Sequence, residues 1–163
     1  MSQDAPMVTD EVRTQIGKET EWWTYPEPAE RGSIRRFAEA IMDPGPLYAD
    51  QEYASKSRHG TIIAPPTFVI MPPRGGRELM GPTDGLPQVH IPWISRGVNG
   101  GSAVEFFRPV RVGDVISQKT RVADVYDRHG RSGTIAIIVY ETLFKNQDNA
   151  LLAVSRRSLI RMR

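Results

Sequence analysis

A chain of 163 residues, 39% hydrophobic and 25% charged, matches one globular domain long enough to bury its own core. The absence of cysteine excludes a disulfide framework, a thiol nucleophile and a cysteine-ligated metal site. A net charge of +2, with Trp and Tyr not interleaved among the basic residues, argues against nucleic-acid binding, and the longest apolar run, 135–140, is too short to span a membrane.

Residues 1–17 read as a loose polar N-terminal arm with at most a short helix, and 18–163 as a single domain. Asp4, Asp10 and Glu11 fall where a secretory signal stays uncharged, so the expected location is cytoplasmic. Trp22, Trp23 and Tyr25 make 18–25 aromatic enough for a short strand or a packing anchor, ended by Pro26 and Pro28. Ile34, Phe37, Ala38, Ile41 and Met42 then recur at helical spacing on one face, with Ser33 as the expected N-cap. Asp43-Pro44-Gly45-Pro46 stops that helix, because Pro44 lacks an N–H and pushes Asp43 out of helical conformation. A second short helix is expected to start at Asp50 and carry Tyr53 and Ala54, with Gly60 after it. The apolar stretch 62–71 reads as a buried helix with Pro65 and Pro66 in its first turn, where a missing N–H costs nothing. Residues 72–101, rich in Gly and Pro and containing Trp93, read as a long functional loop.

The remainder predicts four strands, at 102–108, 114–127, 134–144 and 150–161. Turns are expected at Val112-Gly113-Asp114, at Asp127-Arg128-His129-Gly130 and at Asn146-Gln147-Asp148-Asn149. The third strand is almost continuously β-branched and apolar, which marks it as central and buried. Helices followed by an antiparallel meander define an α+β class, in which an apolar helix covers the sheet's apolar face.

Several residues are weighed as chemistry-bearing groups. His59, His90 and His129 lack metal-ligand spacing, so no metal and no cofactor is expected. Ser33, Ser57 and Ser95 have no nucleophile-elbow context, and neither Gly75-Gly76 nor Gly100-Gly101 forms a phosphate-loop fingerprint. Gly100 and Gly101 instead read as places where backbone approaches a neighbour or a ligand closely. Arg156, Arg157, Arg161 and Arg163 gather near the C-terminus. They read either as a group that attracts an anion or as a solvated strand face, the commoner meaning of a charge run.

Three blocks carry a family resemblance. The helix leading into Asp43-Pro44-Gly45-Pro46-Leu47-Tyr48-Ala49-Asp50 resembles the signature of MaoC-like enoyl-CoA hydratases, which reads Asp-x-Asn-Pro-x-His. The run Arg58-His59-Gly60-Thr61-Ile62-Ile63-Ala64-Pro65-Pro66-Thr67-Phe68 resembles that family's entry into its central helix. The segment from Gly100-Gly101 to Arg108-Pro109-Val110-Arg111-Val112-Gly113-Asp114 resembles its Arg-Pro-Val-x-x-Gly-Asp strand and turn. The resemblance spans about 20–160 and implies a hot-dog fold, a curved antiparallel sheet wrapped around a central helix.

The same resemblance implies a chemistry. In the family an Asp and a His orient and deprotonate water for addition to an enoyl thioester, and N–H groups at the start of the central helix polarise the carbonyl. Asp43 matches the Asp, but Tyr48 stands in place of the His and Gly45 in place of the Asn. A phenol with a pKa near 10 is a poor base at neutral pH. The closest match is therefore the histidine-lacking half of double or heteromeric dehydratases. This implies a subunit that shapes the acyl tunnel and pairs with a His-bearing hot-dog partner on an acyl-CoA substrate. Implied substrate-binding positions are Ala64, Pro65, Pro66 and Thr67, with Gly100 and Gly101. A self-sufficient homodimer using Asp43 with His59 or Tyr48, and a non-catalytic acyl-CoA-binding module, are the alternatives. A thioesterase needs a polar base on the central helix, and 64–71 has none.

Overall fold

The computed structural model describes residues 5–70, 86–92, 94, 96–130 and 133–163. In chain order the elements are α1 (Asp10–Arg13), β1 (Trp23–Thr24), α2 (Arg31–Ala40), α3 (Pro46–Ala49), α4 (Gln51–Lys56), a 3-10 segment (Pro66–Ile70), β2 (Arg96–Phe106), β3 (Ser117–Gly130), β4 (Gly133–Lys145) and β5 (Leu151–Met162). The strands form one antiparallel sheet in the order β1-β3-β4-β5-β2.

The apolar strand expected to be central, β4, lies in the middle of the sheet. Its alternate residues Ala136, Ile138, Tyr140 and Phe144 are buried in the core, as the period-two geometry of a strand requires. Register slips at Ala123 in β3, Gly100 in β2 and Leu152 in β5 add one residue each against the neighbouring strand. Such bulges bend a strand and increase its twist, and they curve this sheet. One core cluster, holding Ile34, Ile62, Phe68 and Leu152, lies beneath the helices. A second, holding Val122, Val125, Ile138 and Leu159, lies beneath the N-terminal segment and Ile91.

That second cluster corrects one expectation. Among the described residues the N-terminal segment is not loose. Met7, Val8 and Val12 are buried, and the N–H groups of Met7 and Val8 donate to the Asp127 carboxylate at 3.1–3.2 Å. Three apolar residues in a polar stretch were enough to dock it.

Helix α2 starts earlier than expected. Glu30 is its N-cap, without a capping side chain, and Ser33 lies within the first turn, its Oγ donating to the Glu30 carbonyl at 2.7 Å. At the other end, the N–H of Met42 donates to Glu39 and that of Asp43 to Ala38. This is a Schellman closure, and it puts Met42 in the left-handed region at φ 58°. The apolar face is therefore buried at Ile34 and Ala38 but leaves Ile41 and Met42 exposed. Pro46 opens α3, a helix not anticipated from the sequence, and Asp50 caps α4 by accepting from the Tyr53 N–H at 3.0 Å.

The stretch expected as a buried helix contributes a 3-10 segment, with Phe68 and Val69 fully buried. Phe68 meets Phe37 of α2 edge-on, ring centroids 5.4 Å apart, which locks α2 to it. Most of the expected 72–101 loop, including Trp93, lies outside the described residues, as does Ser95. Its last residues are not loop: β2 begins at Arg96, so Gly100 and Gly101 are strand residues. His129 lies in β3 rather than in a turn, exposed, with Nδ1 3.0 Å from Thr134 Oγ1. The Gly113-Asp114 turn is as expected: Gly113 has φ 91°, and buried Asp114 accepts from the Arg111 N–H at 2.8 Å.

Candidate functional site

Three stretches of backbone converge where the resemblance places the chemistry. The N–H of Ile63 donates to Leu47 at 3.2 Å, that of Ala64 to Val110 at 2.8 Å and that of Val112 to Ile62 at 3.2 Å. These bonds stitch α3, the entry to the 3-10 segment and the connection between β2 and β3 into one rim. A cavity of about 300 Å³ opens between them.

Its walls combine Leu47 and Tyr48 of α3, Arg58 and His59 of the loop after α4, and Ala64, Pro66 and Val69 around the 3-10 segment. Phe106, Phe107 and Arg108 close the far side. Of the residues singled out from the sequence, the fold thus gathers Tyr48, His59, Ala64 and Pro66 in one cavity. Pro65 is buried behind them, and Thr67 is exposed beside them. Gly100 and Gly101 do not line it. A β-carbon on Gly100 would sit 3.0 Å from Ile160 Cγ1 and 3.2 Å from the Ser158 carbonyl, and Gly101 has φ +130°. The glycine pair serves close packing of β2 on β5 through a bulge.

Asp43 is exposed and also outside the cavity wall, but it neighbours Tyr48. Gly45 sits between the two. A β-carbon there would lie 3.2 Å from the Tyr48 ring and 3.5 Å from Asp43 Oδ1. The missing side chain at 45 therefore makes room for the tyrosine ring. Burial and, second, the negative charge of Asp43 push the Tyr48 phenol above its usual range. At neutral pH it is protonated, a hydrogen-bond donor and not a base.

His59 accepts from Arg58 Nε at 3.3 Å through Nε2, and its own N–H donates to Ser57 Oγ at 3.1 Å. These are the local bonds of a loop histidine, made at the edge of the cavity. His90 is far less suited: it is exposed, and its backbone is clamped at both N–H and carbonyl by the Gln15 side chain.

The start of the 3-10 segment has few donors to offer an oxyanion. Pro65 and Pro66 have no N–H, and Ala64 gives its own to Val110. The Thr67 N–H has no hydrogen-bond partner among the described residues. The sequence reading missed Phe106, Phe107, Arg58 and Arg108 as wall residues. The signal available was the aromatic pair and arginine placed just before the Pro109 turn. Among the described residues no group of His, Asp and Glu is arranged to hold a metal ion, and no helix is long and apolar enough to cross a membrane.

Comparison with known proteins bears on the family and the fold. A family model described as the FAS1-like, dehydratase domain region matches residues 14–154. A UPF0336 protein of Thermobifida fusca is 38% identical over 107 residues, which cover 63% of this chain and 66% of that protein's length. The MaoC-like dehydratase of Rhodospirillum rubrum superposes with a TM-score of 0.68 at 22% identity, covering 91% of this chain and 92% of that one. A chain of the ChsH1-ChsH2 complex of Mycobacterium tuberculosis superposes with a TM-score of 0.75 at 18% identity, covering 93% and 87%. A curved antiparallel sheet with a short helical segment on its apolar face, shared with MaoC-like dehydratases, is the hot-dog fold, and the chain belongs to the FAS1-like dehydratase-region family.

Proposed function

We propose that this chain is a subunit of an enoyl-thioester hydratase or 3-hydroxyacyl-thioester dehydratase, the half that shapes the acyl site and pairs with a histidine-bearing hot-dog partner. Tyr48 carries the reading. It stands in the cavity wall at the position where the chemistry needs a base, and its raised pKa keeps its proton on at neutral pH. Hydration needs a group that removes a proton from water as its oxygen attacks the β-carbon, and a donor for the enolate oxygen that forms at the carbonyl. Tyr48 and the Thr67 N–H supply donors. Asp43, exposed and without an imidazole beside Tyr48, lacks the partner that would make a dyad. The cavity's apolar walls of Leu47, Val69, Phe106 and Phe107 suit an acyl chain, and Arg58 and Arg108 suit the anionic end of a thioester carrier. A heteromeric relative of the same fold, the ChsH1-ChsH2 complex, supports a two-chain assembly.

The test is hydration of crotonyl-CoA by the purified chain, alone and with a hot-dog subunit that has an intact Asp-x-Asn-Pro-x-His. The chain alone is expected to be inactive and the pair active. Full activity of the chain alone refutes partner dependence. Tyr48→His is expected to confer measurable turnover on the chain alone if the missing imidazole is the only deficit. A second reading rests on His59 sharing the cavity with Tyr48. There, a self-sufficient enzyme uses His59 as base, and His59→Ala abolishes an activity that the unaltered chain has by itself.

A further inference from the structure

Arg156 and Arg163 of the C-terminal arginines have partners within the chain. Arg156 Nη2 lies 2.7 Å from Glu141 Oε2, and Arg163 donates to the carbonyls of Ala5 and Pro6 at 3.0 and 3.2 Å. Arg157 and Arg161 project from the face of β5 opposite to Arg156, two residues either side of buried Leu159. Neither has a carboxylate partner among the described residues.

Both line a second cavity, of about 250 Å³, with Tyr140, Leu159, Leu86 and Val89 among its walls. It shares no residue with the cavity around Tyr48. Arg157 Nε is fully buried and makes no hydrogen bond among the described residues. Buried donors on a cation are rarely left unmade, because burial removes the water that would satisfy them. The chain also makes room for the second arginine. Gly97 of β2 lies opposite Arg161, and a β-carbon there would fall 1.9 Å from Arg161 Nη1. The guanidinium lies across the strand only because residue 97 has no side chain. Both cations are felt at one hydroxyl: burial raises the Tyr140 phenol, while the charges of Arg161 and Arg157 pull it down.

We propose that Arg157 and Arg161 form an oxyanion site for the phosphate group of a phosphate monoester or of free phosphate, separate from the proposed hydratase site. Two guanidinium forks match a tetrahedral dianion in charge and in bidentate geometry, whereas one carboxylate neutralises only one of them. Gln88 and Tyr140 add polar groups to the same walls. The cavity is several times the ~30 Å³ of one water, so a phosphate carrying an ester carbon is not excluded by size.

The experiment is calorimetric titration of the full chain with inorganic phosphate, phenyl phosphate and benzoate in low salt. Phenyl phosphate binding more tightly than inorganic phosphate marks a monoester as the ligand. Comparable or tighter binding of inorganic phosphate marks the free ion. Either supports the site, provided that Arg157→Met and Arg161→Met each weaken binding at least tenfold while Arg156→Met does not. Gly97→Ala, which displaces only the end of Arg161, is expected to weaken it severalfold and carries the test if a methionine variant fails to fold. No phosphate binding, binding indifferent to these substitutions, or benzoate binding as well as phenyl phosphate overturns the proposal. No turnover and no partner enter the measurement, so its failure is separate from failure of the hydratase reading.

Discussion

Glu141→Gln tests how the sheet holds a buried charge. Glu141 sits mid-way along the central strand with its carboxylate almost wholly buried, yet both oxygens are gripped from neighbouring strands. Oε1 accepts from Arg121 of β3 at 2.8 Å from Nε and 2.6 Å from Nη2. Oε2 accepts from Arg156 of β5 at 2.8 and 2.7 Å. Burial pushes the carboxyl up, but the hydrogen bonds and charges of Arg156 and Arg121 outweigh it and hold it below the usual value of 4.5. Two fork-type pairs would be worth several kcal/mol if fully buried. The arginine side chains are 56% and 64% exposed, so water and salt screen much of that. Glutamine keeps the shape and one acceptor oxygen and loses the charge, for a net cost of about 1–2 kcal/mol at neutral pH. In a chain of this length that lowers Tm by roughly 2–8 °C. The sign with pH follows from the depressed pKa. The stabilisation is complete above the unfolded-state value and disappears as pH falls through the folded-state value below 4.5. Denaturant melts of both forms at pH 7 and at about pH 2.5–3 check it. The two midpoints should differ at pH 7 and approach each other in acid, where the unaltered side chain becomes neutral too. A gap that persists undiminished in acid, or no gap at pH 7, refutes the argument.

Two further substitutions address the scaffold of the candidate site. Phe68→Ala removes a fully buried ring that ties α2 to the 3-10 segment, and is expected to cost about 3–5 kcal/mol by denaturant unfolding, with loss of ligand binding in the Tyr48 cavity following from the loosened wall. A cost below about 1 kcal/mol contradicts the packing. Met42→Gly replaces an exposed side chain held at φ 58° by the residue suited to that conformation, and should be neutral to about 1 kcal/mol stabilising in thermal melts. A clear destabilisation means the Schellman closure before Asp43 is not as drawn.

What the sequence determined by itself is local or periodic. Continuous β-branched and apolar residues marked β4 as buried and central, because a strand in the middle of a sheet has both edges paired and lies where the core is deepest. The turns at Gly113 and Asn146 and the start of a short helix at Asp50 were legible, since each depends on a few adjacent residues with fixed backbone preferences, whereas α2 ends at Ala40, before the expected stop at Asp43-Pro44. The family was legible because three short blocks keep their order. Tertiary structure alone decided the rest. Ser33 lost the cap to Glu30, since its hydroxyl found a carbonyl instead of an N–H. The N-terminal segment docks because Met7, Val8 and Val12 find an apolar surface made by strands more than 100 residues away. Phe106, Phe107 and Arg58 meet Tyr48 only once the sheet curves beneath α3. Arg156 and Arg157 are neighbours in sequence, but strand alternation gives one a carboxylate and leaves the other in a cavity with a buried N–H unmade. Charge is written in the sequence; whether a charge is paired depends on which face of which strand it occupies, and that is fixed only by register.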